Sequence, residues 1–421
     1  MFGFGKRQNG ERKNEKLSTS PYKGVRDFYP EDMAVQRYIF DVWSTTAESF
    51  GYERYDASIL EPSELYSAKT SEEMVSEQTY TFTDRGDRSV TLRPEMTPSV
   101  ARMVADKRRE LSFPIRWYSI PNLFRYERSQ RGRLREHWQL NCDIFGTDDR
   151  TADVEIIALA HQTLLNFGAD ESMFEIRLND RAWLNTIFDE RKFSEQQKKD
   201  MFALLDKKEK IDNFEEEAAK IAGGFFELPS EPSADSDLAH VMEGLKELGI
   251  ENVVFSPSTV RGLTYYTGVV FEVFDTDPAN RRALLGGGRY NNLTALFGGD
   301  PIPGIGFGWG DVTMRDFLET HNLLTAHITS PTLAIIPTDP KLNIEGEKLA
   351  QTFRAAGVST AVDISDRKLG KKIAAADSAL VSYILVLGED EMKSGSYTLK
   401  NLAEGSETSG TPEELAETLS S

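Results

Sequence analysis

The chain has 421 residues, enough for two or three domains with a sizeable core, and its 39% hydrophobic and 28% charged residues are typical of a soluble globular protein. No apolar run approaches the roughly 18–20 residues that cross a membrane, no N-terminal apolar segment indicates a secretory signal, and the single cysteine, Cys142, excludes an intrachain disulfide framework and a cysteine-based zinc cluster, so a reducing cytoplasm is the expected compartment. The net charge of −19 argues against broad binding of nucleic acid but leaves room for a local basic groove that binds one RNA.

The N-terminal residues 1–20 are predicted to form a disordered basic tail. Five cations lie among Gly, Asn and Gln with almost nothing apolar between Phe4 and residue 16: Lys6, Arg7, Arg12, Lys13 and Lys16. A solvated tail and an arm that contacts RNA are both compatible with this composition.

The first strongly periodic segment, residues 32–50, predicts a long amphipathic helix. Large apolar residues recur at helical spacing on one face, among them Ile39, Trp43 and Phe50, and Gly51 supplies a stop signal. Such a face packs either on a core or on a second subunit. A strand is expected to follow over residues 52–59.

Residues 124–146 predict a β-hairpin whose loop, SQRGRLRE, turns at Gly132. Strand alternation would place Arg125 and Glu127 on one face of the first strand. In the second strand it separates apolar side chains from a polar set made of Gln139, Asn141 and Asp143. An exposed, solvated hairpin is one interpretation. The excess of arginine over glutamate in this segment favours a phosphate site instead, because a guanidinium matches phosphate geometry.

Two later segments differ from these β-rich surroundings. Residues 187–250 are charged and helical in composition, which predicts an insertion, and strands return at Val253–Val254 and Val269–Phe274. From about residue 330 to residue 421, strand and helix patterns alternate. That alternation predicts a separate small α/β domain with a mainly parallel sheet, joined by a linker at 325–331.

The hairpin resembles motif 2 of class II aminoacyl-tRNA synthetases, in the version found in histidyl-tRNA synthetases. The resemblance covers the chain from Gly24 to about Leu402. It implies an α+β fold: a class II antiparallel-sheet catalytic domain over 21–325 with a helical insertion, plus a C-terminal α/β anticodon-binding domain over 330–421. It assigns ATP contacts to Arg125 (the α-phosphate), Glu127 (the adenine), Arg133 and His137.

Further segments extend this resemblance to the amino acid. TLRPEMTPSVAR (91–102) resembles the family's TLRPE segment, and RGLTYYTGVVFEVF (261–274) resembles its histidine-specific motif. The resemblance makes Arg261 catalytic together with Arg125, since it would bridge the histidine carboxylate and the α-phosphate. It assigns histidine binding to Glu95, Thr97, Gln139, Asp143, Arg261, Tyr265, Tyr266 and Tyr290.

LLGGGRYNNL resembles a glycine-rich turn of the same family, although three glycines alone most often mark only a tight turn. The implied substrates and partners are L-histidine, ATP with Mg²⁺, tRNA(His) and a second copy of the chain in a homodimer, with no membrane. The implied reaction forms histidyl-adenylate and then transfers histidine to the tRNA. In the C-terminal domain the candidate RNA contacts are Lys368, Lys371, Lys372 and Lys400.

The chain departs from the family pattern at several positions. PGIGFGWG (303–310) resembles the motif 3 strand, but Thr313 stands where the family has an arginine that grips the γ-phosphate. Arg315, two residues along a helix, would face roughly 200° away, so Arg133 or another loop arginine is expected to hold the tail phosphates. His137 replaces an aromatic residue that stacks on adenine, and Thr264 and Asn291 replace residues that are often acidic.

These departures keep an alternative open. The family has a catalytically silent relative, the regulatory subunit of ATP phosphoribosyltransferase, which retains the fold and a histidine-binding pocket. The Thr313 position favours that relative, whereas Glu95, Arg125, Arg261 and the C-terminal domain favour the ligase.

Overall fold

The computed structural model describes residues 17–67, 78–208, 211–263, 265–324 and 330–420. They form two compact units that divide between residues 324 and 330, with Pro30–Ala34 grouped in the second. Most of the predicted basic tail and of the predicted linker therefore lies outside the described residues. No helix in these ranges combines the length and apolar character needed to cross a membrane.

The first unit is built on a mainly antiparallel sheet. Its nine described strands are β1 (Glu53–Arg54), β5 (Ile115–Ser119), β6 (Asn122–Phe124), β7 (Glu136–Phe145), β8 (Phe174–Asp180), β9 (Val253–Phe255), β10 (Val269–Asp275), β11 (Ala283–Arg289) and β12 (Gly304–Gly310). The order across the sheet is β1-β5-β7-β12-β11-β10-β8-β9, and β6 pairs with β7. A smaller antiparallel sheet contains β2 (Leu60–Pro62), β3 (Tyr80–Thr83) and β4 (Ser89–Leu92).

Helices cover one face of the large sheet and form the insertion. The described helices of this unit are α1 (Pro30–Ser49), α2 (Glu64–Ser67), α3 (Thr97–Lys107), α4 (Thr151–Asn166), α5 (Arg181–Glu190), α6 (Glu195–Leu205), α7 (Phe214–Ala222), α8 (Asp237–Glu247) and α9 (Asp311–Thr320). The amphipathic helix predicted for 32–50 is confirmed as α1, whose Ile39 and Trp43 are buried in the main core. The strand predicted for 52–59 is wrong beyond Arg54, because only Glu53 and Arg54 pair with β5.

The alternation predicted along β7 positions the candidate site. Leu140, Cys142 and Ile144 point into the main apolar core. Asn141 and Asp143 point the other way and are also buried, so this polar face is not the solvated surface of an amphipathic hairpin. The first hairpin strand ends at Phe124, earlier than predicted.

The second unit has a five-stranded sheet in the order β14-β13-β15-β16-β17. The strands are β13 (Leu333–Pro337), β14 (Thr360–Val362), β15 (Tyr383–Leu387), β16 (Tyr397–Asn401) and β17 (Glu407–Gly410), and the helices are α10 (Asn343–Ala355), α11 (Leu369–Ser378), α12 (Glu389–Ser394) and α13 (Pro412–Ser420). β13 pairs in parallel with β14 and β15, whereas β15–β16 and β16–β17 are antiparallel. The sheet is thus evenly mixed, and the prediction of a mainly parallel sheet is wrong.

One of the lysines predicted to contact RNA is unavailable. Lys372 is buried, and its ammonium group donates to the carbonyls of Pro337 (3.2 Å) and Asp363 (3.0 Å). Lys368 and Lys371, at the start of α11, are exposed. The prediction for Lys372 is therefore corrected to a structural role.

Candidate active site

A wide cleft of about 1060 Å³ and a small chamber of about 40 Å³ meet on the polar face of the large sheet. The residues that line both cavities are Arg125, Gln139, Arg261, Gly286 and Gly308. Two arginines and an amide thus stand where a ligand in the chamber would meet a ligand in the cleft.

Three tyrosines form the apolar part of the chamber wall. The Tyr265 ring lies 4.9 Å from that of Tyr266 and 5.9 Å from that of Tyr290. The Tyr265 hydroxyl donates to Oε2 of the buried Glu95 over 3.0 Å, and Thr97, at the start of α3, lines the same chamber. An aromatic box with one carboxylate suits a small ligand that carries a cationic amine.

Asp143 lies beneath this box. The Tyr290 hydroxyl donates to its Oδ1, while Oδ2 is buried beside the Tyr55 hydroxyl and has no directed hydrogen bond from any described residue. Burial raises the pKa of Asp143 to about 7, although the hydroxyls of Tyr290 and Tyr55 lower it. A carboxylate oxygen can accept more than one hydrogen bond, so a ligand N–H at Oδ2, beside Tyr55, would be favoured in this buried site.

Glycines on β11 and β12 make room for the polar side chains. A Cβ on Gly286 would collide with the Arg261 guanidinium, and one on Gly306 would collide with the Asp143 carboxylate. A Cβ on Gly308 would lie 2.7 Å from Cδ of Gln139. The glycines of LLGGGRY therefore lie within a strand and not at a tight turn, so the turn expected there is wrong.

Arg261 is held in an unusual conformation at the junction of the two cavities. Its φ is +59°, in the left-handed region that costs a non-glycine residue about 1–3 kcal/mol. Nη1 donates to Glu272 over 2.7 Å, and Nη2 lies 3.4 Å from the Gly286 carbonyl. Strain of this kind persists only where the surroundings over-determine it.

Arg181, at the start of α5, supplies part of that support. Its Nη1 lies within 3.3 Å of the carbonyl oxygens of Val260, Arg261 and Leu263. The ring of Phe202, on insertion helix α6, packs against this guanidinium at 4.3 Å. The insertion thus contacts the residue that braces the loop carrying Arg261.

Glu272 and Arg181 were not among the predicted site residues. The sequence could have indicated Glu272 as a site residue, since it is a lone carboxylate in the apolar run VVFEVF. No sequence pattern indicates the role of Arg181, because its three hydrogen-bond acceptors are backbone carbonyls about 80 residues away in the chain.

The wide cleft is lined by six arginines and by five carboxylates, from Glu127, Asp206, Glu272, Asp275 and Asp277. Its lining guanidinium groups come from Arg125, Arg133, Arg177, Arg261, Arg281 and Arg282. Arg125 is fixed by a 2.8 Å hydrogen bond from Nε to the Pro94 carbonyl, and Arg133 forms a 2.5 Å ion pair with the buried Glu127. His137 lines the same cleft, and burial together with the charges of Arg125, Arg26 and Arg133 lowers its pKa to about 3. A neutral imidazole among arginines is compatible with an anionic nucleotide.

The positions that depart from the family pattern are also located. Thr313 lines the cleft, and its hydroxyl donates to the Leu284 carbonyl over 2.8 Å. Arg315 does not line the cleft and instead pairs with Glu319 at 2.8 Å. Asn291 donates to Asp148 over 3.1 Å, and Thr264 lies outside the described residues.

The structure therefore brings the predicted site residues together. Glu95, Thr97, Gln139, Arg261 and the three tyrosines line the chamber, with Asp143 below them; Arg125, Glu127, Arg133 and His137 line the cleft. No group of three or more His, Cys, Asp or Glu side chains in the described ranges is arranged to hold a metal ion.

Comparison with known proteins matches the chain to one family. Its solved members include a Bacillus halodurans protein named both as an ATP phosphoribosyltransferase regulatory subunit and as a histidyl-tRNA synthetase (TM-score 0.68, 22% identity, covering 86% of this chain and 97% of that one). A family model described as histidyl-tRNA synthetase matches residues 24–221 and 211–310, and a model described as anticodon binding domain matches 332–421. The chain is 43% identical to the histidine–tRNA ligase of Leptospira biflexa over 93% of this chain and 95% of that protein. It is 37% identical to the histidine–tRNA ligase of Thermoplasma volcanium over 91% and 94%.

Solved structures show the same fold. The apo histidyl-tRNA synthetase of S. aureus matches with a TM-score of 0.76 and 24% identity, covering 96% of this chain and all of that one. This likeness confirms the predicted α+β fold with a separate C-terminal domain. From the family models, the two curated relatives and the fold together, the chain belongs to the histidyl-tRNA synthetase family.

Proposed function

We propose that this chain is a histidine–tRNA ligase that uses ATP to activate L-histidine and then transfers the histidyl group to tRNA(His). The observation that carries the proposal is the junction of the two cavities, where Arg125 and Arg261 stand between the tyrosine-lined chamber and the arginine-lined cleft. A carboxylate from the chamber and a phosphate from the cleft would meet at these two cations.

In the first step, a carboxylate oxygen of histidine attacks the α-phosphorus of ATP. The bond from that phosphorus to the bridging oxygen breaks, and pyrophosphate leaves. Negative charge develops on the α-phosphoryl oxygens, where Arg125 and Arg261 offer donors that are already oriented by Pro94 and Glu272. Glu127 and His137 would hold the adenine, and Arg133 would contact the nucleotide.

The chamber would select histidine by pairing its polar groups. Glu95 and Thr97 would take the α-ammonium, and Asp143 would accept a hydrogen bond from an imidazole N–H at its Oδ2. Gln139, Tyr265, Tyr266 and Tyr290 would complete the enclosure. An apolar side chain of the same size would offer no N–H to Oδ2 of Asp143, and a site built this way rejects such analogues by as much as about 10⁴–10⁵.

In the second step, a terminal ribose hydroxyl of the tRNA attacks the carbonyl carbon of the adenylate, and AMP leaves. The C-terminal unit supports a role in RNA binding, since the anticodon-binding model matches it. Lys368, Lys371 and Lys400 remain candidate RNA contacts.

Mg²⁺ would enter this site together with ATP. The described residues offer no ready carboxylate cluster, and Mg²⁺ in nucleotide sites is commonly held by phosphates, waters and one or two carboxylates. Such an ion would neutralise charge on the departing pyrophosphate. We also propose a homodimer and a cytoplasmic location. The buried, free thiol of Cys142 is compatible with a reducing compartment.

Purified protein should exchange labelled pyrophosphate into ATP only when histidine is added. Arg261→Ala should reduce this exchange by at least about 10²–10³-fold, because it removes an oriented donor from the α-phosphate. The matched variant Arg315→Ala, at an arginine outside the cleft, should exchange at the wild-type rate. Circular dichroism would check that both variants fold.

One outcome would contradict the proposal. If the wild-type chain binds histidine in calorimetry but exchanges no pyrophosphate with any of the twenty amino acids, a silent histidine-binding role is favoured instead.

A further inference from the structure

We infer that Arg282 holds the terminal phosphates of ATP, from a position beside Thr313 in the cleft. The inference rests on the proposed function, in which the cleft takes ATP. It identifies a cation close to position 313, where Thr313 itself has no charge to offer the terminal phosphates.

The placement of Arg282 beside Thr313 is set by Gly132. A Cβ on Gly132 would lie 3.0 Å from Cδ of Arg282 and 3.4 Å from Cγ2 of Thr313, so both side chains pack against the tip of the motif 2 loop. Gly132 has a φ of +71°, which lets the loop turn here without a side chain. The Arg282 stem therefore runs through the space next to position 313.

The guanidinium of Arg282 is available to a ligand. It lines the cleft, and it forms no hydrogen bond or ion pair with any described residue. Burial and the nearby charge of Arg133 lower its pKa. Arg133 and Arg282 both line the cleft, and the Glu127 carboxylate that pairs with Arg133 also acts on Arg282. Two cations that share one carboxylate keep a net positive charge that suits an anion such as a polyphosphate.

Other arginines near the loop are already engaged. Arg131 donates to Asn280 and Thr320, and Arg135 donates to the Glu127 carbonyl and the Tyr22 hydroxyl. Arg177 pairs with Glu175 and packs on the Phe274 ring. Arg133 pairs with Glu127. Arg281 also lines the cleft but is exposed, whereas Arg282 is half-buried, so Arg282 is the better placed cation for a second phosphate.

The test separates the tail phosphates from the rest of the nucleotide. Two probes are titrated by calorimetry into wild type and Arg282→Ala: the β,γ-imido analogue of ATP with Mg²⁺, and a sulfamoyl analogue of histidyl-adenylate, which has no β- or γ-phosphate. Arg282→Ala should weaken binding of the ATP analogue about 10–100-fold, the usual effect of removing a hydrogen bond between charged groups. The affinity of the adenylate analogue should stay within about twofold of the wild-type value, because that probe does not reach the tail-phosphate position.

Arg315→Ala is the matched control, because it removes an arginine of α9 that pairs with Glu319 outside the cleft. It should leave both affinities unchanged. The melting temperature of ligand-free Arg282→Ala should change little, because Arg282 lacks a hydrogen-bond partner among the described residues and its removal ends both a repulsion from Arg133 and an attraction to Glu127.

Two results would overturn the inference: an unchanged affinity for the ATP analogue, or an equal reduction for both analogues, which would mean that Arg282 only shapes the cleft. Absence of pyrophosphate exchange in the wild type would refute the proposed function. Even then, a selective loss of affinity for the ATP analogue in Arg282→Ala would support the phosphate site. Failure of the proposed function and failure of the Arg282 inference are therefore distinguishable.

Discussion

At the scale of single residues, the site depends on groups whose protonation is set by burial. The pKa of Asp143 is raised towards neutrality because the carboxyl lies beneath the tyrosines, and the pKa of His137 is lowered by burial and by neighbouring guanidinium groups. The Asp143 carboxylate can thereby accept a hydrogen bond from the proposed imidazole N–H, and His137 presents an uncharged ring beside the proposed adenine.

The pKa of Asp143 predicts a pH dependence of histidine binding. Below about pH 7 its carboxyl gains a proton and becomes a poorer acceptor, so the KM for histidine in pyrophosphate exchange should rise as pH falls through this value. Asp143→Asn should raise this KM at every pH and remove the component near pH 7. Only the titration of the free histidine, near pH ~6.5, should then remain.

The same carboxyl should affect stability with the opposite sign. Between about pH 4, near the ordinary pKa of an aspartate, and about pH 7, the folded chain retains a proton that the unfolded chain has released. The contribution of Asp143 to the free energy of unfolding therefore falls as pH rises through this window. Asp143→Asn should lack that fall in denaturant titrations.

A second variant checks the assignment of the KM profile to Asp143. Tyr290→Phe removes a donor that lowers the pKa of Asp143, so it should move the profile to higher pH. Identical profiles in wild type and Asp143→Asn would refute the assignment.

At the scale of elements, one strand supplies the polar side chains of the site and its neighbours supply glycines that leave room for them. β7 supplies Gln139 and Asp143, and the glycines of the neighbouring β12 leave space for both side chains. On β11, Gly286 leaves space for the Arg261 guanidinium. The positive φ of Arg261 is supported by Arg181, against which the α6 residue Phe202 packs. The insertion is therefore structurally linked to the proposed catalytic arginine.

Alanine substitutions at two adjacent glycines of β11 should differ in effect, one lowering activity and the other lowering stability. In Gly286→Ala, the three atoms nearest to the new methyl group belong to the end of the Arg261 side chain, so kcat for exchange should fall by about 10²–10³ with little change in melting temperature. In Gly287→Ala, the methyl group meets the Gly306 carbonyl and the Phe307 backbone, which cannot move away easily. This variant should be destabilised by about 1–3 kcal/mol.

Kinetics and thermal melts of the two variants, measured side by side, check this expectation. If both variants show the same reduction in stability and in activity, Gly286 serves only the packing of the strands.

At the scale of the whole molecule, an acidic net charge coexists with local basic surfaces in both units. The chain has a net charge of −19, yet six arginines against five carboxylates line the proposed ATP cleft, and α11 of the second unit begins beside exposed lysines. An acidic body with local basic surfaces disfavours bulk RNA while allowing specific contacts, since non-specific binding scales with the number of phosphates neutralised.

The exposed lysines of α11 should matter for tRNA but not for activation. The double variant Lys368→Ala/Lys371→Ala should raise the KM for tRNA in aminoacylation several-fold and reduce the slope of its salt dependence by about 1 for each phosphate that is no longer neutralised. Histidine-dependent pyrophosphate exchange should not change. Lys348→Ala, at an exposed lysine paired with Glu345 at 2.8 Å, is the control. An unchanged tRNA KM in the double variant would exclude this surface from RNA binding.

The sequence by itself determined the fold class, the family and the set of candidate site residues. Local periodicity specified α1 and the two faces of β7, because side-chain direction within one element follows from its own repeat. The motifs with Arg125 and Arg261 are short and contiguous, so they could be recognised without coordinates.

Only the tertiary structure decided the contacts between distant segments. Glu272 with Arg261, Arg181 with three carbonyls, and Arg282 beside Thr313 depend on strand register and loop packing. Two wrong predictions have the same origin. The glycines of LLGGGRY lie in β11, because that segment pairs with β10 and β12. Lys372 is buried, and the carbonyls of two distant residues accept hydrogen bonds from its ammonium group. Packing between elements is a property of pairs of segments, and no single segment of sequence encodes it.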